Sequence, residues 1–161
     1  MQSRSEQHTS AVPRALRRRV FVGALLAFAT FAASMAAFAI ASGAVVSTAN
    51  NGKFRQSILV NSQGRTLYVL SGETSHHLLC TSSACLAVWP PLTVSSHSVS
   101  EGAGVHGSLG VLKRGKELQV TLNGQPLYLF EGDSSRGQVN GEDIKTFGGT
   151  WHAVLSSGRA R

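Results

Sequence analysis

One segment of this chain occurs twice. Displacing the sequence by 60 residues sets Val60 on Val120, Gly64 on Gly124, Leu67-Tyr68 on Leu127-Tyr128, Gly72 on Gly132 and Ser75 on Ser135, with Glu73 opposite Asp133. Each copy then runs through a polar loop to a tryptophan, Trp89 in the first and Trp151 in the second. Repetition narrows the possible folds, because each copy is one supersecondary unit that cannot bury its apolar face alone. An isolated hairpin is marginal in water, so two copies predict a pseudo-twofold pair of small β units sharing one core.

The local grammar of both copies is that of strands. Ser57-Ile58-Leu59-Val60 and Thr66-Leu67-Tyr68-Val69-Leu70 flank Asn61-Ser62-Gln63-Gly64, and Glu117 to Leu122 and Gln125 to Phe130 flank Asn123-Gly124. Asn-Gly is the strongest short hairpin signal, since both central residues of a type I′ turn need positive φ. Leu118, Val120 and Leu122 alternate with Glu117, Gln119 and Thr121, which predicts one buried and one wet face. Leu109 to Leu112 adds a strand through the turn at Lys113-Arg114-Gly115-Lys116, and Thr150 to Leu155 reads as a final strand. No stretch after Val46 has a 3.6-residue apolar period. The fold class expected is mainly β: a small antiparallel domain of two related repeats, preceded by an N-terminal transmembrane or signal helix.

That helix is the charge-free run Val20 to Val46, which follows Arg14, Arg17, Arg18 and Arg19. A basic flank ahead of an apolar segment is the pattern of an export signal or a signal anchor. About 20 residues cross ~30 Å of hydrocarbon, whereas a secretory h-region is usually about 7–15, so length favours an anchor in the cytoplasmic membrane with the C-terminal domain extracytoplasmic. Against this, ten of the 27 residues are Ala, and Ala39-Ile40-Ala41 offers a cleavage site that would release a secreted protein. The organisation expected is a cytoplasmic basic segment 1–19, an anchor or signal 20–46, a polar linker 47–55, repeat 1 over 56–94, a Ser/Gly-rich linker 95–107 and repeat 2 over 108–157.

The formal charge of +7 invites a nucleic-acid reading, but five of the fifteen basic residues precede the apolar run. The remainder carries ten Lys/Arg against seven Asp/Glu with no dense basic stripe, so the footprint of a DNA or RNA binder is missing.

Leu67-Tyr68-Val69-Leu70-Ser71-Gly72-Glu73, Cys80 and Cys85, Trp89-Pro90-Pro91-Leu92, Pro126 to Asp133 and Phe147-Gly148-Gly149-Thr150-Trp151 occur in this order. Together they resemble the secreted-repeat family of bacterial lipoproteins, known for a Tyr-x-aromatic-x-x-Asp motif and without an established function. The resemblance covers about Ser57 to Leu155. Tyr128, Phe130 and Asp133 match the motif in full, while the first copy has Leu70 for the aromatic and Glu73 for Asp. No lipobox cysteine lies near Val46. The resemblance implies an exported repeat protein and no particular chemistry.

Several residue sets invite chemistry. Cys80 and Cys85 are the only cysteines, and an even pair delivered to an oxidising compartment usually forms a disulfide. With His76 and His77 they also make an alternative Zn or Cu(I) set, the basis of a metal-binding or redox reading. Adjacent histidines on an extended chain point to opposite sides, which disfavours convergence. Tyr68, Trp89, Tyr128, Phe130 and Trp151 either pack the two copies together or line a groove for an extracytoplasmic ligand. Asp133 is expected to close an Asx-turn at a strand end. Glu131, Asp133, Glu142 and Asp143 lack EF-hand order and read as hydrated loop charges, with a calcium site of another type as the alternative. His97, His106 and His152 stand isolated in sequence, and Gly102-Ala103-Gly104-Val105-His106-Gly107 spells a dinucleotide fingerprint without a βαβ unit around it. No G-x-S-x-G is present, and no cofactor is implied. The class expected is a non-catalytic cell-envelope binding or interaction module.

Overall fold

The computed structural model describes residues 45–161. The basic segment 1–19 and the apolar run as far as residue 44 lie outside the described residues, and no helix among those described is long and apolar enough to cross a membrane. In chain order the elements are β1 (Val46–Asn51), β2 (Gln56–Asn61), β3 (Tyr68–Leu70), α1 (Ser83–Val88), β4 (Thr93–Val94), β5 (Leu109–Arg114), β6 (Glu117–Leu122), β7 (Gln125–Pro126), β8 (Lys145–Thr146) and β9 (Gly149–Ala153). The three small sheets run β1-β2, β3-β9-β8 and β4-β6-β5 with β7 also on β6, and every named strand pair is antiparallel.

Residues 47–55 are not a linker. They continue from Val46 as strand and turn, with Val46 facing Asn61 and Asn51 facing Gln56 across the β1–β2 pair. Val46, expected at the end of the membrane segment, is fully buried in the domain core. The polar composition of Ser47 to Asn51 misleads because β1 is a half-buried outer strand whose side chains need not be apolar. Its counterpart in the second copy is β5, which extends through Lys113 and Arg114 before turning at Gly115.

The copies correspond in register but not by one constant displacement. Asn123 (φ 53°) and Gly124 (φ 79°) make a two-residue turn, with Leu122 facing Gln125. In the first copy the turn has three residues, Ser62-Gln63-Gly64, closed by Asn61 N–H donating to Arg65 O at 2.9 Å, with Gly64 at φ 82°. That extra residue makes Leu59, not Val60, the equivalent of Val120. Leu67 N–H bonds Leu59 O as Leu127 N–H bonds Val120 O, each at 2.9 Å. The first hairpin is therefore only a corner, after which β3 leaves β2 to pair with β9.

Alternation along these strands sorts two apolar clusters rather than a wet and a dry face. Ile58, Val60, Tyr68, Leu70, Trp151 and Ala153 enter one cluster, and Leu59, Leu67, Val69 and Val154 enter the other. β6 follows suit: Gln119 and Thr121, expected to face water, are buried. Gln119 tolerates this because its Nε2 donates to Leu127 O and its Oε1 accepts from Arg114 Nη1, so no polar atom is stranded. A short helix, α1, also departs from the all-strand expectation. Ser82 caps it by accepting Cys85 N–H, and six residues are too few for an amphipathic period to show.

Candidate functional site

The repeats meet at the motif tyrosines. Tyr68 and Tyr128 exchange two backbone hydrogen bonds, each 2.9 Å, so each tyrosine stands across from its own equivalent. Val69 pairs with His152 as Leu129 N–H bonds Pro90 O, and Ser71 N–H bonds Thr150 O as Glu131 N–H bonds Val88 O. Each tryptophan thus lies beside the tyrosine strand of the opposite copy's turn. Trp89 and Trp151 stack with ring centroids 3.8 Å apart and planes within 4°. Tyr68 sits edge-on to Trp89 and Tyr128 edge-on to Trp151, and Phe130 stacks on Trp89. All four Tyr and Trp rings are 0–1% exposed. They pack the repeats together and line no open groove.

The carboxylates complete a crossed arrangement. The Tyr68 hydroxyl donates to Asp133 Oδ2 at 2.6 Å, and the Tyr128 hydroxyl donates to Glu73 Oε1 at 3.1 Å, so each copy's tyrosine is held by the other copy's acid. The same acids organise their own loops. Asp133 Oδ1 accepts Asn140 N–H at 2.9 Å, and Glu73 Oε1 accepts Leu79 and Cys80 N–H at 2.9 and 3.0 Å. Asp133 therefore bonds seven residues on rather than closing the expected Asx-turn, and Glu73 keeps the role despite its extra methylene. Burial raises the Asp133 pKa, opposed by the bonds from Tyr68 and Asn140 and by the charge of Arg65. Burial and the bonded Asp133 carboxylate push the Tyr68 hydroxyl far above its ordinary value. Burial, then the Glu73 charge, raises Tyr128 to about 12, against the pull of Arg114, whose Nη1 donates to its hydroxyl.

Gly148 and Gly149 of the motif have separate reasons. Phe147 and Gly148 form the turn of the β8–β9 hairpin at φ 54° and 90°, whereas a Cβ on Gly149 would stand 2.5 Å from Ser71 O.

Cys80 and Cys85 are bonded as a disulfide with Cα atoms 5.5 Å apart, and both are buried. No thiolate is left for the His76/His77/Cys80/Cys85 set. His76 and His77 are exposed, and the Thr74 hydroxyl accepts from both of their backbone N–H groups. The alternative metal or redox cluster is not assembled.

A different set converges instead. Glu142, Asp143 and His152 bring one donor atom each within 4.8 Å of the others. In the β8–β9 hairpin Lys145 faces Thr150 and Thr146 faces Gly149; beyond it Trp151 N–H bonds Ile144 O while Asp143 N–H, at φ 63°, bonds Trp151 O, so the chain bulges at Asp143 and brings both acids beside His152. Reading Phe147-Gly148 as a two-residue turn would have brought the acids near His152, though not through the bulge at Asp143; taking His152 as isolated and the acids as hydrated loop charges concealed the cluster. Apart from these, a groove of about 360 Å³ runs beside β1 and the three-residue turn, lined by Ser47, Thr48, Asn50, Asn61, Ser62 and Arg136 among others. Arg136 Nε donates to Gln63 O at 2.9 Å, which fixes the guanidinium at its rim.

Residues 112–155 match the family model described as a secreted repeat of unknown function. The match runs from β5 to just beyond β9, so it spans the copy in which Tyr128, Phe130 and Asp133 carry the whole motif. No curated protein and no solved structure matches the chain. The family's description as secreted suggests an extracytoplasmic protein and assigns no ligand or reaction.

Proposed function

We propose that the secreted repeats form a non-catalytic, extracytoplasmic binding module, held at the cytoplasmic membrane by the apolar run that precedes Val45. The observation that carries this reading is where the motif residues are used. Tyr68, Tyr128, Asp133, Glu73, Trp89 and Trp151 are consumed in joining the repeats, which leaves a rigid body whose outer surface differs between copies. Recognition falls to the groove beside β1. Its hydroxyls, amides and single guanidinium suit a hydroxyl-rich ligand bearing a negative charge, such as an acidic saccharide, better than an apolar one.

Full-length protein in detergent, labelled with ¹⁵N, can be titrated with a uronate-containing oligosaccharide and with a neutral one of equal length. Shifts at Ser47, Thr48, Ser62 and Arg136 with the acidic sugar, lost in Arg136→Ala, support the module. Shifts elsewhere, or none with either sugar, reject it. Anchoring is tested separately, by a periplasm-active reporter fused after Arg161. Its activity in the membrane fraction supports the anchor, and its recovery in the soluble exported fraction supports cleavage near Ala41.

A further inference from the structure

We propose that Glu142, Asp143 and His152 form a binding site for a divalent transition metal, with Zn²⁺ the best match to the ligand types. The reading is independent of the groove. His152 Nδ1 stands 3.4 Å from Glu142 Oε1 and 3.7 Å from Asp143 Oδ1. Charge-assisted hydrogen bonds close to about 2.7–2.9 Å, so the imidazole and the two carboxylates stand in loose contact rather than in tight pairs. They fit a central ion: ligands each about 2.0–2.2 Å from Zn²⁺ stand roughly 3.3–3.6 Å apart at tetrahedral angles.

The Glu142 side chain is 3% exposed, and its two oxygens have different duties. Oε2 accepts Ala153 N–H at 2.7 Å, which fixes the carboxylate and leaves Oε1 facing His152 with no backbone donor. Orientation of a ligand through its other atom is how metal-site carboxylates are usually held. A carboxylate this buried also needs a compensating charge. Arg161 supplies one, with Nη1 3.5 Å from Oε1, but its side chain is 44% exposed and can withdraw when a cation takes its place. Three protein donors leave a fourth position for water or a ligand oxygen.

The first copy lacks the site. Asn140 corresponds to Cys80 through their matching bonds to Asp133 and Glu73, which places Ser82 and Ser83 at the positions of Glu142 and Asp143. Pro90 stands where His152 does, and Pro91, with no N–H to be accepted, stands where Ala153 does. Copy two therefore has an acid pair and an imidazole where copy one needs none of them.

The test uses full-length protein in detergent, stripped with EDTA, with Zn²⁺ titrated calorimetrically and Co²⁺ followed by its visible d–d bands. We expect one Zn²⁺ per chain and intense Co²⁺ bands of low coordination number. His152→Gln and Asp143→Asn should each weaken binding by at least about tenfold, the usual loss on disturbing a metal site. Asp143 is 68% exposed, so its substitution leaves the fold intact. A His76→Gln/His77→Gln protein should bind as the parent does. Absence of saturable binding, survival of binding in both site variants, or its loss with His76 and His77 would overturn the assignment.

Discussion

Replacing Asp133 by Asn tests the crossed tyrosine–carboxylate arrangement most directly. Asn has the same shape and one acceptor oxygen, so an Asx-turn role would survive the change. In the structure both Asp133 oxygens accept, Oδ2 from the Tyr68 hydroxyl at 2.6 Å and Oδ1 from Asn140 N–H at 2.9 Å. Asn can serve only one of these donors. If its oxygen stays on Asn140, its amide meets the Tyr68 oxygen, which already accepts Gly141 N–H at 3.3 Å, and the tyrosine proton loses its acceptor. A hydrogen bond to a charged group contributes roughly 1.5–3 kcal/mol, so Asp133→Asn should destabilise by about that much. Asp133→Ala loses both bonds but also removes a carboxylate that is costly to bury, giving a net cost of about 2–4 kcal/mol.

Urea melts of the full chain at neutral pH, with unchanged m-values, measure both substitutions. A double-mutant cycle with Tyr68→Phe should return a coupling of at least about 1 kcal/mol, because the two groups are in contact. The pH dependence gives an independent check. The folded Asp133 pKa lies above the ordinary value of 3.8, so the folded state binds this proton more tightly. The contribution is fully present below 3.8 and is lost as pH rises through the raised folded value. The stability gap between parent and Asp133→Asn should therefore widen on acidification toward 3.8. If Asp133→Asn melts within about 0.5 kcal/mol of the parent, a difference expected of unremarkable surface changes, the crossed pair is not structural.

Three further outcomes follow. Intact mass under denaturing, non-reducing conditions should be two hydrogens below the reduced mass, and a Cys80→Ser/Cys85→Ser protein should lose about 2 kcal/mol, the scale for a short loop; two alkylatable thiols in natively exported protein would contradict this. Gly149→Ala should cost more than about 2 kcal/mol, since its Cβ would meet backbone oxygen, whereas Gly52→Ala, in open space, should change little in the same melts. Stability should fall as pH rises from 10 through about 12, because folded Tyr128 holds its proton more tightly than the unfolded chain does. In Tyr128→Phe that fall should be shallower, and an unchanged slope in alkaline melts would count against the assignment.

The repeat, the antiparallel class, the Asn123-Gly124 turn and the disulfide were legible in the sequence, because each rests on local chemistry or on a count. The boundary at residue 56 was not, since β1 owes its order to pairing with β2 and carries no apolar alternation of its own. The displacement of 60 located the copies but hid the three-residue turn, which shifts the strand before it by one place. The use of Asp133 and Glu73 was half legible: a structural role could be argued from turn composition, but a partner tyrosine 65 or 55 residues away could not. Glu142 and His152 are ten residues apart and meet only once the Phe147-Gly148 turn and the bulge at Asp143 set the hairpin register.

Because each tyrosine is held by the acid of the opposite copy, the joint between copies is indifferent to whether that copy lies on the same molecule. Two chains could open at the exposed Ser95–Ser98 stretch and exchange second copies, satisfying every cross-copy bond again. The cost of the exchange lies in the hinge and in the contacts of the following segment with β1, and none of it in the aromatic joint. Monomer and swapped dimer would then share one core, and a rise in local concentration would favour the exchanged form. A duplicated β unit of this kind carries within one chain the interface of a symmetric dimer.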